Sequence, residues 1–157
     1  MTRVGFYHLQ RSPLEQALPR ILEKALAAGH RVVVMAGSAE RVAALDDLLW
    51  TYDSASWLPH GTARGGDAAA QPVWITELDE NPNGADVLVL TDGVVCGHVG
   101  SFTRCLDLFD GNDPAAVEAA RRRWVELRDA GLELTYFQQG ERGGWVEKAK
   151  AGGGGPP

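Results

Sequence analysis

Three groups of residues in this chain have types and spacings that could do chemistry: a cysteine–histidine pair, a glycine-rich hexapeptide, and three consecutive arginines beside a tryptophan. Cys96-Gly97-His98 offers two metal ligands, and Cys105 a third, without the paired spacings of structural zinc sites. Free cysteine is among the most buried residue types, so both thiols read as core groups and His98 as a loop histidine. Gly61-Thr62-Ala63-Arg64-Gly65-Gly66 is glycine-rich, but it lies in a long loop. A phosphate cradle needs such a loop between a strand and a helix. The turn after the first predicted strand, His8-Leu9-Gln10-Arg11-Ser12-Pro13, contains neither glycine nor Gly-Lys-Ser/Thr, so no wrap of bare amides is expected there. No Gly-x-Ser-x-Gly elbow is present. Asp46 and Asp47 are adjacent on a predicted helix and do not face one another. These residues predict no catalytic site, no cofactor and no metal.

The arginines sit on the last predicted helix. At helical spacing Ala116, Ala120, Trp124 and Leu127 form one apolar face. Arg121 and Arg128 are seven apart, hence within about 20° of each other, and they border Val117 and Trp124. Arg122 points away among Glu118, Glu126 and Asp129, where it would pair weakly in solvent. A basic pair beside an aromatic edge suits a peptide with acidic residues and an apolar terminus, because the planar guanidinium binds carboxylates bidentately. It equally suits a solvated edge whose arginine stems cover apolar surface. A second apolar group, Trp57-Leu58-Pro59, occupies a proline-containing loop and must meet either the core or a partner. Trp50 reads as a core aromatic.

The elements that would position these residues alternate. Val4 to Leu9 predicts a strand, and Ser12-Pro13 caps a helix with Leu14, Leu18, Ile21, Leu22 and Leu26 on one side that stops near Gly29. Arg31 to Met35 is a buried strand, and Gly37-Ser38 opens a helix carrying Val42, Leu45 and Leu49. Residues 53–71 read as loop; Val73 to Thr76, Val87 to Thr91, Cys105 to Phe109 and Leu132 to Phe137 read as strands, with the helix from Asp113-Pro114 to Gly131 before the last. The pattern predicts a single α/β domain, a mainly parallel sheet with helices on both faces, Rossmann-like without a phosphate-binding loop. Residues 1–146 form that domain; 147–157, with four glycines and two prolines at the end, read as a flexible tail.

Composition sets further bounds. The 157 residues, 45% hydrophobic and 23% charged, suit one globular domain. A net charge of −6 argues against direct binding of nucleic acid. No stretch approaches the roughly 20 apolar residues of a membrane span, and no apolar leader is evident, so a cytoplasmic protein with reduced thiols is expected.

Leu45-Asp46-Asp47-Leu48-Leu49-Trp50-Thr51, followed by Ser56-Trp57-Leu58-Pro59-His60, resembles the chi-subunit family of bacterial DNA polymerase III. Phe6-Tyr7, Gln71-Pro72-Val73 and Arg121-x-Arg123-Trp124 before Ala130-Gly131 extend the likeness over residues 4–137. The resemblance implies a non-catalytic accessory subunit in the clamp-loader assembly, with the acidic, Pro-Phe-ended tail of single-stranded-DNA-binding protein as partner on the last helix. By position it implies roles for Val117, Arg121, Trp124 and Arg128, although Val117 and Val125 stand where some members carry lysine. It also implies docking of a psi subunit around Trp57, Leu58 and Pro59. Two other readings remain open at this point: a small Rossmann-like nucleotide-dependent enzyme using loop 61–66, and an oligomer subunit anchored by Trp57 and Trp74.

Overall fold

The computed structural model describes residues 2–53, 58–142 and 144–152. The β-branched runs Val32–Met35 (β2), Val73–Thr76 (β4) and Val87–Leu90 (β5) are buried along their whole length, as strands covered on both faces must be. With Arg3–Leu9 (β1), Gly61–Thr62 (β3), Arg104–Asp110 (β6), Glu133–Gln139 (β7) and Trp145–Ala151 (β8) they form one eight-stranded sheet, order β3-β4-β2-β5-β6-β1-β7-β8. Every pairing is parallel except β7 with β8.

Helices α1 (Leu14–Ala27) and α2 (Ala39–Thr51) bury Leu18, Leu22, Leu45 and Leu49 against one face, with Tyr7, Val32, Val34 and Ile75. Helix α3 (Pro114–Asp129) lies on the other, where Ala120, Trp124 and Leu127 join Val4, Phe6, Leu88 and Leu134. Ser38 and Asp113 cap α2 and α3 by accepting from Arg41 and Ala115 N–H. Gly29 and Gly131 end α1 and α3 at φ of 86° and 89°, a conformation glycine adopts without strain. The α/β architecture with helices on both faces is as expected.

Three local readings are corrected. Pro13, not Ser12, occupies the cap position of α1, and Ser12 Oγ instead accepts from Gln139 Nε2 at 2.5 Å. The glycine loop begins in the edge strand β3. The boundary between residues 146 and 147 falls inside β8, because Glu147, Ala149, Lys150 and Ala151 pair with β7 backbone; residues 153–157 of the expected tail lie outside the described residues. Strand β8 is anchored by Trp145, whose ring meets Tyr7 edge-on at 4.9 Å while Tyr7 stacks on Phe137 at 4.8 Å. Trp74 is 4% exposed and belongs to the core, so it cannot serve as an interface anchor.

Candidate functional site

The three arginines of α3 have three different surroundings. Arg123 is three residues after Ala120 and four before Leu127, so it lies on the buried face. There it grips Asp107 of β6, its Nε and Nη2 donating to Oδ2 and Oδ1 at 2.6 and 2.9 Å. Burial raises the Asp107 carboxyl above its ordinary range, and Arg123 offsets only part of that rise. Trp124 turns the other way, meeting Phe6 of β1 edge-on at 5.4 Å and Tyr136 of β7 at 6.5 Å. The indole is half-buried rather than a free edge.

These two contacts orient the helix. Arg123 reaches toward β6 and Trp124 toward β1 and β7, so the strip beyond Trp124, made of Val117, Arg121 and Arg128, lies on the β7 side. Val117 is half-buried against the core, whereas Arg121 and Arg128 are exposed. Arg121 makes no ion pair among the described residues. Arg128 pairs with Asp129 at 3.3 Å, both groups in solvent. This corrects the expectation for Arg122, which was to share Asp129 and the two glutamates; it is exposed and makes no ion pair among the described residues. Beside the strip, cross-strand partners Tyr136 and Ala149, and Leu134 and Ala151, carry the α3 face of the sheet out onto β8. The structure thus brings the four α3 residues to one edge of the helix and adds a shelf of small residues that a flexible tail would not supply.

The second predicted surface is rearranged. Leu58 is 3% exposed and packs in the core, Pro59 is half-buried, and Trp57 lies outside the described residues. Trp50, read from the sequence as core, is 59% exposed. Its indole lies 4.7 Å from the ring of buried His60. His60 Nδ1 bonds Leu58 O at 2.7 Å, and Nε2 lies 3.0 Å from Asp46 Oδ1 without the alignment of a hydrogen bond.

The positions where Rossmann-like folds hold phosphates are occupied by the chain itself. After β1, the N–H groups of Gln10, Arg11 and Ser12 converge on Gln139 Oε1 at 2.9, 2.8 and 3.1 Å. Amides do converge in this turn without any glycine, contrary to the sequence reading, but onto a side chain of β7. Between β2 and β5, where the strand order turns around and such folds open their ligand crevice, Asp92 sits at φ 56°. Its Oδ2 accepts from Gly37 N–H at 3.0 Å and Arg41 Nε at 3.2 Å. Both groups border a crevice of about 450 Å³ or its approach, lined by Gln10, Ser12, Arg41, Asp92 and Asn112. In loop 61–66 the N–H groups of Gly65 and Gly66 turn inward to Thr62 O, so they do not face a ligand.

Of the predicted thiol group, Cys105 is 1% exposed in β6 and packs in the apolar core on the α3 side, outside the group that Cys96 and His98 join. Cys96 and His98 meet Asp79 instead, a residue that no motif singles out. Arg123 was missed as well, although its place on the apolar face was available from the spacing.

Comparison with known proteins places the chain. Residues 1–135 match the family model described as DNA polymerase III chi subunit, HolC. Over 137 residues the chain is 29% identical to the DNA polymerase III subunit chi of Pseudomonas aeruginosa, covering 85% of this chain and 94% of that one. The Escherichia coli protein of the same name is 26% identical over 124 residues, 78% of this chain and 84% of its own. A Rickettsia prowazekii relative named "Probable DNA polymerase III subunit chi" is 31% identical over 90 residues; the match spans 57% of this chain and 54% of the relative. The chain belongs to the DNA polymerase III chi-subunit family. Most of β7 and all of β8 lie beyond the residues that the family model matches.

Proposed function

From membership of that family, we propose that this chain is a non-catalytic accessory subunit that tethers the clamp-loader part of the replicase to single-stranded-DNA-binding protein. The observation that carries the reading is Arg121: an exposed guanidinium without an ion pair among the described residues, flanked by half-buried Val117 and Trp124. Such a group offers a planar two-donor fork to a carboxylate next to a surface that takes an apolar terminus. Arg128, already sharing Asp129, contributes less. The acidic tail ending in proline and phenylalanine fits this chemistry, its carboxylates on Arg121 and its terminal ring over the Trp124–Tyr136 shelf.

A non-catalytic role is supported by the filled anion positions: Gln139 takes the amides after β1, and Asp92 takes Gly37 N–H and Arg41. The net charge of −6 favours a protein partner over DNA itself. A psi-type subunit would dock on the exposed indole of Trp50, which lies against the His60 ring, where a large aromatic left in water gains by burial. The protein works in the cytoplasm, with the replication machinery.

Titration of the full chain with a short acidic peptide ending in Pro-Phe tests the reading. Saturable binding that disappears when the terminal phenylalanine is deleted is expected. No peptide binding, together with ATP binding sensitive to substitutions in loop 61–66, would favour the nucleotide-dependent enzyme.

A further inference from the structure

The connections after β4 and after β5 contain no α-helix, yet they meet at one compact polar point. Asp79 comes from the first, Cys96 and His98 from the second. One atom of each forms a triangle: Cys96 Sγ to Asp79 Oδ1 is 3.2 Å, Cys96 Sγ to His98 Nδ1 is 3.5 Å, and His98 Nδ1 to Asp79 Oδ1 is 2.8 Å.

We propose that Asp79, Cys96 and His98 form a zinc(II) site that ties these two connections together. Zinc takes thiolate sulfur at about 2.3 Å and imidazole nitrogen or carboxylate oxygen at about 2.0–2.2 Å in a tetrahedral set. Those bond lengths put neighbouring donors roughly 3.4–3.6 Å apart. The sulfur–nitrogen edge already has that length, and the other two edges, at 3.2 and 2.8 Å, need to open by about 0.4–0.6 Å. The donor types also select the ion. One thiolate, one imidazole and one carboxylate make a borderline set suited to zinc rather than to magnesium or calcium, which take oxygen ligands alone.

The surroundings hold the donors as outer partners of a metal site do. Gly97 N–H donates to the second Asp79 oxygen at 2.8 Å, fixing the carboxylate while leaving Oδ1 aimed at the triangle. Gly97 suits this approach, since a Cβ there would stand 3.1 Å from Asp79 Oδ2. The His98 ring stacks on Phe102 at 5.5 Å, and Phe102 is itself in the core. Cys96 is 6% exposed while the Asp79 and His98 side chains are 43% and 36% exposed. The ion therefore enters from solvent and the thiol closes the inner side. Binding forms the sulfur–zinc bond, breaks the sulfur–hydrogen bond and releases that proton to solvent. Three protein ligands leave a fourth position for water.

Cobalt(II) titration of the chelator-treated full chain tests the proposal. The expected result is saturation at one equivalent, with a thiolate-to-cobalt charge-transfer band, tetrahedral visible absorption and release of about one proton per ion. Zinc should bleach both bands stoichiometrically and raise the unfolding midpoint. Cys96→Ser should abolish the charge-transfer band. Asp79→Asn and His98→Gln, both at partly exposed positions, should weaken binding more than about a hundredfold, beyond the cost of losing an outer partner. Absence of the band in the wild type, its survival in Cys96→Ser, or unchanged affinity in the Asp79 and His98 variants would overturn the site.

Discussion

Replacing Arg123 by methionine isolates what the buried ion pair does. The guanidinium meets Asp107 through two bonds of 2.6 and 2.9 Å, and the side chains are 9% and 2% exposed. Methionine replaces much of the arginine stem but leaves a carboxylate unpaired on the α3 face of the sheet, where Phe6 and Leu90 are its cross-strand neighbours and Ala120 belongs to the same apolar cluster. Removing one member of such a pair costs about 3–5 kcal/mol. At about 2–4 °C per kcal/mol for a domain of this size, the melting temperature falls by roughly 10 °C. The deficit also has a pH signature. Burial already raises the Asp107 carboxyl against the pull of Arg123, and without Arg123 it rises further. A folded carboxyl pKa above the unfolded one means the cost is present above the folded value and fades as pH falls through it. The deficit of Arg123→Met relative to wild type should therefore shrink on acidification from about pH 8 to about pH 5. The double variant Arg123→Met/Asp107→Leu should recover most of the stability, because a packed apolar pair carries no stranded charge. Denaturant unfolding of the three proteins across that range is the assay. A single variant within about 0.5 kcal/mol of wild type, a deficit that grows on acidification, or a double variant no better than the single would refute the reasoning.

Three further outcomes follow from local geometry. Gly111→Ala should lose about 1–3 kcal/mol by overpacking in thermal unfolding, because a Cβ there would stand 2.8 Å from Leu9 O and closer still to the His8 ring. Gln139→Ala should leave three amides without their acceptor, costing about 1–3 kcal/mol, with hydrogen exchange accelerated at Gln10, Arg11 and Ser12. Burial raises the Asp86 carboxyl, but the hydrogen bonds from His30 and Arg31 N–H outweigh it and leave the group below its ordinary 3.8. Its contribution is present above that unfolded value and lost as pH falls through the lower folded one, so wild type and Asp86→Asn should converge in stability at strongly acid pH.

The regular part of the fold was legible because its signals are local. Val-Val-Val and Val-Leu-Val-Leu can only be central strands, and Ser38, Asp113, Gly29 and Gly131 mark helix ends by chemistry that needs no tertiary context. Strand β8 was not legible: Lys148-Ala149-Lys150-Ala151 has no large apolar residue, and what orders it is backbone pairing with β7 and the anchor of Trp145 on Tyr7. Arg123 was hidden by its neighbours, since three arginines in a row read as a solvated face. Its helical phase beside Ala120 and Leu127, together with an aspartate inside the apolar strand Leu106-Asp107-Leu108, carried the signal that a buried charge requires a partner. Trp50, read as core, is exposed near the end of α2, and Leu58, for which core and partner both stood open, is buried; which large side chain reaches the core is a tertiary outcome that local spacing does not decide. Asp79 meets Cys96 only through the course of two irregular connections, which no spacing rule describes.

The proposed tethering role rests on the edge of α3, and calorimetric titration of one acidic, Pro-Phe-ended peptide against Arg121→Ala, Arg122→Ala and Arg128→Ala tests it most directly, with folding checked by circular dichroism. Losing one member of a charged, partly buried pair costs about 2–5 kcal/mol, at least about thirtyfold in affinity. Arg121→Ala should nearly abolish binding, Arg122→Ala should lose less than about threefold as exposed pairs do, and Arg128→Ala should fall between. A wild type that gives no saturable heat, or an Arg122 variant weaker than the Arg121 variant, would contradict the account.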